Sequence, residues 1–260
     1  MSAARWDDLK IRMISGALMA LAGMVAVFLG GWYFGALAVL AAGLMVWELA
    51  GMMGAGQAAV PLGTLAAVSL FSASMIPPGA AQLLLLAAPL AGACAIRCDR
   101  LIFAAYALAI LIAAHGLYWF RLENGGVWLF WLILVVIASD VGGYFAGRLI
   151  GGPKFWPRVS PKKTWSGTIA GWIGAAIVGA VFISFTTAGI DLIWISALVA
   201  LASQLGDITE SAIKRRKGVK DSSRLIPGHG GLLDRFDGLL GAALMMLLVA
   251  LFVTVPSVRI

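Results

Sequence analysis

Long apolar runs separated by short polar breaks recur along the whole chain, and their lengths match a bilayer better than a soluble core. A helix needs about 20 apolar residues to cross a hydrocarbon layer of about 30 Å, and only closed backbone hydrogen bonding is tolerated there. On that basis the pattern predicts an all-α, polytopic membrane protein with about nine spans, at roughly 13–30, 33–53, 59–77, 80–96, 101–120, 127–147, 167–187, 190–210 and 238–255. Only Pro77-Pro78-Gly79 separates the third from the fourth, and Pro89 interrupts the fourth, which sets the range at seven to nine. The polar N-terminus is followed by an apolar run of about 18 residues, longer than a signal-peptide core, and is read as a retained first helix.

Polarity divides the chain in two. Residues 1–120 are rich in Ala, Leu, Gly and Met and read as a transmembrane scaffold, whereas 121–260 carry polar blocks at helix ends and read as the catalytic region of one integral membrane unit. In the first part Glu48 is either functional or a snorkelling interface residue. His115 is expected to be a hydrogen-bonded helix residue. Cys94 and Cys98, at i and i+4 with no further Cys or His beside them, read as reduced, packed thiols.

Composition sharpens this picture. Hydrophobic residues make up 62% of the 260 positions and charged residues 12%, with a net charge of +7. With the N-terminus inside, 17 of the 19 Lys and Arg fall on the cytoplasmic side of a nine-span arrangement, from Arg5, Lys10 and Arg12 through Arg97 and Arg100 to the later loops; only Arg121 and Arg259 fall outside. The expected orientation therefore puts the N-terminus and the polar loops, with the site, on the cytoplasmic side, and the location expected for the chain is a bacterial inner membrane. The partner of that basic face is anionic. Nucleic acid is a poor candidate and is not expected as a partner, because the basic residues sit in short loops without interleaved aromatics or a binding module; phosphates of lipids and nucleotides fit better.

Three polar blocks carry candidate chemistry. Asp140 follows a dozen apolar residues and needs a cation, since an unpaired charge so deep costs roughly 2.5–3.5 kcal/mol. Gly143, Gly147 and Gly151 form small-residue steps, with Gly167 and Gly171 as a conjectured contact partner. Lys162 and Lys163 precede a helix start, where free N–H groups and the macrodipole already favour anions.

Asp207, Glu210, Ser211 and Lys214 then fall on one helical face. The stretch Ser211–Asp237 packs seven Lys or Arg, three Asp and the turn Pro227-Gly-His229-Gly-Gly between two apolar runs. Asp234 and Asp237 stand three apart at the next helix start. Carboxylates on adjoining helices suit a hard cation such as magnesium.

These residues resemble a known family. Ser211-x-Ile213-Lys214-Arg215-x4-Lys220-Asp221, Pro227-Gly-His229-Gly-Gly and Asp234-Arg235-x-Asp237 resemble the signature of the phosphatidate cytidylyltransferases, also called CDP-diacylglycerol synthases. Gly206-Asp207, Ser139-Asp140 with Tyr144 to Arg148, and Ser160-Pro-Lys162-Lys163-Thr164-Trp165 are similar to the same pattern, which covers the C-terminal half. One departure is Ser166, where that pattern would carry Glu.

The resemblance implies a multi-span, commonly dimeric enzyme that uses magnesium, CTP and phosphatidate. A monovalent cation sharing the site is left open. By resemblance, Asp207 and Asp234 are the metal ligands, with Asp237 and Asp221 next. Lys214, Arg215, Lys220 and Arg235 hold phosphates, Lys162 and Lys163 hold the lipid headgroup or triphosphate, and Ser211 and Asp140 complete the binding set. His229 is expected to donate to a phosphate or fix its loop rather than act as a base.

Two other classes compete. An anion transporter would show repeated halves and broken helices at the midplane; the chain has no internal repeat and gathers its polar groups at one face. A CDP-alcohol phosphotransferase would show a spaced Asp-Gly and Ala-Arg pattern, which is missing.

Overall fold

A computed structural model describes the backbone of residues 3–77 and 79–258 and the side chains from Met13 onward within those limits. The side chains of Arg5, Lys10 and Arg12, with Pro78 and Arg259, lie outside the described residues. The chain forms two compact units, Met1–Leu122 with Arg216–Phe236, and Glu123–Arg215 with Asp237–Ile260. The polar stretch 216–236 thus packs with the N-terminal helices.

In the first unit, α1 (Ala3–Leu29), α2 (Gly31–Met52), α3 (Ala59–Ser74), α4 (Ala87–Ala95) and α5 (Arg100–Asn124, as far as Leu122) follow one another. A 3₁₀ turn, Gly56–Ala58, leads into α3, and another, Ala80–Leu86, leads into α4. The core is built from Val46, Leu49, Leu70, Phe103, Ile110 and Leu111, all nearly or fully buried. Helices α2 and α3 meet at Gly43 and Gly63, each of whose absent Cβ would fall against the other's carbonyl oxygen. Small residues let two backbones approach where no hydrophobic driving force separates helix from lipid.

The second unit contains α6 (Val127–Leu149), the strands β1 (Lys154–Trp156) and β2 (Ser160–Thr164), α7 (Trp165–Ile183), α8 (Asp191–Arg216, as far as Arg215) and α9 (Leu233–Ala250, from Asp237). β1 and β2 pair antiparallel, Lys154 opposite Thr164 and Trp156 opposite Ser160. This hairpin replaces a stretch expected to be a loop; at three and five residues, with Pro157 and Pro161 interrupting it, it leaves too short an alternation to read from sequence.

The conjectured glycine contact is present, since Gly143 and Gly167 pack backbone to backbone between α6 and α7. Thr164 caps α7, its Oγ1 accepting from Gly167 N at 3.2 Å. Ser166 donates to Gly151 O at 2.5 Å and lies 3.0 Å from Thr164 Oγ1, so it ties the helix start to the preceding glycine loop.

Among the described residues six helices are long and apolar enough to span a membrane: Gly31–Met52, Gly56–Ser74, Arg100–Asn124, Val127–Leu149, Trp165–Ile183 and Asp191–Arg216. Met13–Leu29 and Ala80–Ala95 are shorter apolar helices. The protein is an integral membrane protein by this length and composition. The last helix begins at Leu233, five residues before its predicted start, and Asp234 falls inside its first turn, where the macrodipole favours a carboxylate.

Three scaffold residues depart from expectation. His115 is buried, and neither ring nitrogen has a hydrogen-bond partner among the described residues; it packs edge-on to Trp119 instead, with ring centroids 6.4 Å apart. Cys94 and Cys98 are free and exposed rather than packed.

The α2–α3 contact makes a direct prediction. Gly63→Ala places a methyl against the Trp47 side chain and Gly43 O, and should cost about 1–3 kcal/mol by overpacking. Gly51→Ala on α2 meets nothing within 4 Å and should be neutral or stabilising. Thermal unfolding of both variants in one detergent checks the difference; equal midpoints would contradict close α2–α3 packing.

Candidate functional site

The second unit holds a cavity of about 460 Å³ lined by Asp140, Tyr144 and Arg148 from α6, Lys162 and Lys163 from β2, Thr168 from α7, and Gln204 and Asp207 from α8. Each contributor is placed by local structure. The β1–β2 hairpin presents the two lysines immediately before the capped start of α7, and the α6–α7 glycine contact leaves room beside Asp140.

Lys163 Nζ lies 2.5 Å from Asp207 Oδ2 and donates to Gln204 O at 3.4 Å. Gln204 is held in turn by Ser139 Oγ, Thr168 O and Trp172 Nε1, so the α8 backbone that carries Asp207 is fixed from three sides. Arg148 donates to Tyr144 Oη at 2.8 Å, a neutral partner that leaves its positive charge uncompensated by that contact.

Along α8 the predicted polar face is present and is wired internally. Ser211 Oγ donates to Asp207 Oδ1 at 3.2 Å, and Lys214 Nζ pairs with the fully buried Glu210 at 2.6 Å. These i, i+4 links carry the helix on to Arg216, beyond the apolar run that predicted it.

Gly206 sits against the Asp237 carbonyl and Gly241, a close approach that brings the start of α9 to α8. Asp237 is thereby within the field of Asp207, and its carboxyl is hydrogen-bonded to Glu210 and to Gly238 N. Four carboxylates, Asp140, Asp207, Glu210 and Asp237, and three lysines, Lys162, Lys163 and Lys214, thus gather in this unit. Arg215 is exposed at the end of the face.

The first unit organises the other half of the predicted residues. Pro227-Gly-His229-Gly-Gly forms a tight turn closed by Ile226 N to Gly230 O at 2.8 Å and His229 N to Ile226 O at 2.9 Å. Gly228 and Gly230 adopt φ of 75° and 82°, which glycine takes without strain. His229 Nδ1 lies 2.8 Å from Ser15 Oγ, a partner 214 residues away that no local pattern marks.

Asp234 Oδ2 accepts from Ser222 N, Ser222 Oγ and Gly231 N at 2.8–2.9 Å. Lys220, Asp221 and Arg235 are exposed on this segment.

Two further residues are needed to hold it. Glu48 accepts from Ser222 Oγ, Ser223 Oγ, Leu232 N and Leu233 N. Asp99 accepts from Arg216 and pairs with Lys217 at 2.7 Å. No sequence signal marked Asp99, which lies 117 residues from Arg216.

Hard, carboxylate-only donors suit magnesium chemically. Among the described residues no group of three or more His, Cys, Asp or Glu is arranged to hold a metal ion. Lys163 is the counter-ion of Asp207 in this arrangement.

Apolar spans joined by short polar segments, with a cavity lined by both cations and carboxylates, define a membrane protein whose polar chemistry is gathered at helix ends. The model of the cytidylyltransferase family matches residues 10–253, and the chain belongs to that family. It is similar to the phosphatidate cytidylyltransferase of Brucella suis, 45% identical over 130 residues, which are 49% of this chain and 48% of that protein. It also resembles those of Mycobacterium bovis, 46% over 124 residues (46% of this chain, 40% of that one), and Haemophilus influenzae, 41% over 157 residues (55% and 54%). The chain thus spans about half the length of the curated relatives it matches.

The Asp99 tether has a pH signature. Hydrogen bonds from Arg216 and then Lys217 pull its carboxyl down to about 2, from an ordinary 3.8. A depressed carboxylate stabilises the fold fully above its unfolded value and loses that contribution as pH falls through about 2. Lowering the pH from 4 to 2 should therefore destabilise the wild type more than Asp99→Asn. Equal losses in a detergent melting series would remove the tether from the account.

Proposed function

We propose that this chain is a phosphatidate cytidylyltransferase, which joins CTP and phosphatidate to give CDP-diacylglycerol and pyrophosphate. The observation that carries this reading is the cavity in which Lys162, Lys163 and Arg148 face Asp140 and Asp207, in a chain of the cytidylyltransferase family. The names of the similar proteins supply the substrates.

In the proposed reaction a phosphate oxygen of phosphatidate attacks the α-phosphorus of CTP, the α–β phosphoanhydride bond breaks, and pyrophosphate leaves. Transfer of this kind depends on alignment and on neutralising oxygen charge, and needs no protein nucleophile. Lys162, Lys163 and Arg148 neutralise phosphate oxygens in the second unit, with Lys214 and Arg215 at the end of the α8 face. Lys220 and Arg235 serve phosphates from the polar loop.

A phosphomonoester has a second pKa of about 6, so the nucleophile is already largely deprotonated at neutral pH. His229, with Nδ1 beside Ser15, is then a loop-fixing group or a donor to phosphate rather than a base.

Magnesium is part of this proposal. It would supply charge neutralisation and templating of the phosphates. Within the second unit Asp207, with Asp237 beside it, would offer ligands; within the first the candidates are Asp234 and then Asp221. The proposal also places the protein in a bacterial inner membrane, with about nine spans, a cytoplasmic site and a homodimeric assembly; the excess of Lys and Arg on one side of that arrangement supports the orientation.

Purified protein in detergent with labelled CTP, phosphatidate and magnesium should move label into the lipid phase and release pyrophosphate. Asp207→Asn removes the charge that holds Lys163 and offers a metal ligand, and should lower turnover at least 100-fold with helix content unchanged. Absence of label transfer beside an active control would sink the reading. Near-normal turnover of Asp207→Asn at saturating magnesium would remove Asp207 from the metal site.

A further inference from the structure

The polar loop Ser222–Leu233 is a segment of backbone that cannot order itself. Its donors belong to neither a helix nor a sheet, apart from the tight turn at Ile226–Gly230. In the first unit they converge on one side chain of α2, Glu48, which is 2% exposed although it is a carboxylate. Oε1 accepts from Ser223 Oγ at 2.6 Å and Leu232 N at 2.9 Å; Oε2 accepts from Leu233 N at 2.7 Å and Ser222 Oγ at 3.2 Å. All four partners are donors, the complement of an acceptor-only carboxylate, with the single Ser222 hydroxyl hydrogen shared between Glu48 and Asp234, whose Oδ2 lies 2.9 Å from the same oxygen.

Leu232 N and Leu233 N are at the start of α9, whose first N–H groups have no partner within the helix. Glu48 therefore caps a helix 185 residues away in sequence, a service normally given by the residue just before the helix. Here that position is Leu232, which has no side-chain acceptor. Asp234 completes the arrangement from inside the first turn, reaching back to Gly231 N in the manner of a capping box and taking Ser222 N as well. Gly231 is required by the same geometry, because a Cβ there would run into Ser222 Oγ and both Glu48 oxygens.

We propose that Glu48 is a positioning residue for the reaction: it acts through the loop, holding the Asp234 end of α9 and the Lys220–Arg235 segment in the arrangement that receives substrate phosphates. The proposal rests on the cytidylyltransferase reading for its kinetic consequence, though not for the clamp itself. A loop that is only fractionally in its competent arrangement binds with an affinity reduced by that fraction, and the loss is recovered at saturating ligand. A residue that touched the reacting atoms would instead lower kcat.

The test compares wild type, Glu48→Ala, Glu48→Gln and Ser223→Ala, each checked for helix content and a single gel-filtration peak. Tryptic cleavage at the exposed Lys220 and Arg224, followed without substrate, should be at least tenfold faster in Glu48→Ala. Glu48→Gln, which keeps one acceptor oxygen, and Ser223→Ala, which loses one bond, should be intermediate. In the cytidylyl-transfer assay KM for CTP should rise at least tenfold in Glu48→Ala with kcat within threefold, and saturating CTP should slow cleavage.

Unchanged cleavage in Glu48→Ala, or a fall in kcat with KM unmoved, overturns the proposal. Should Glu48→Ala fail to fold, Glu48→Gln and Ser223→Ala decide it by the same cleavage comparison. A wild type that transfers no cytidylyl group would count against the reaction, whereas the cleavage series would still judge the clamp.

Discussion

Donors from the segment Ser222–Leu233 meet two carboxylates, Glu48 and Asp234, and the order of the whole polar loop depends on that meeting. Unpaired backbone N–H groups near a bilayer cost several kcal/mol each, so a loop with little regular structure survives there only if side chains complete its hydrogen bonding. Buried carboxylates can do this because each oxygen accepts more than one bond. The consequence is that the N-terminal helices are more than membrane filler. Ser15, Glu48 and Asp99 each hold a different part of the polar segment: its histidine turn, its junction with α9 and its beginning after α8.

The second unit meets a different constraint. Its carboxylates and cations are mostly matched to one another, Asp207 with Lys163 and Glu210 with Lys214, and the helix-to-helix glycine contacts set how closely those groups approach. Burial makes this matching necessary for Glu210, which is fully buried, since an isolated charge in a low-dielectric interior is far more costly than a pair; Lys163 and Asp207 are partly exposed and pair at the cavity wall. Arg148 and Lys162 complete the rim of the cavity.

The sequence made the elements legible where periodicity was long, and the site legible where residue types were unusual for their surroundings. The apolar runs at 127–147 and 101–120 became helices with boundaries shifted by only a few residues, because a span has little alternative to helix. The face through Asp207, Ser211 and Lys214 was readable because 3.6-residue periodicity is local. The 154–164 hairpin was not, since eleven residues with two prolines carry too little alternation.

Glu48 drew notice as a charge inside a span, but its partners lie more than 170 residues away and no local pattern encodes them. Asp99 and Ser15 belong to the same class. Long-range capping is a tertiary decision, and the α9 start moved to Leu233 because of it.

The pairing of Lys163 with Asp207 has a consequence for any phosphate ligand. In the arrangement described, the lysine neutralises the carboxylate and the carboxylate lowers the lysine's availability to an anion. On the proposed reading, Asp207 would hold a divalent cation and Lys163 would then neutralise phosphate oxygens, so each half of the pair would have a new partner. Alone, a triphosphate would face the charge of Asp207 and a cation that of Lys163. On that reading the matched pair favours arrival of the cation and the polyphosphate together, since each offsets the charge that the other would leave uncompensated.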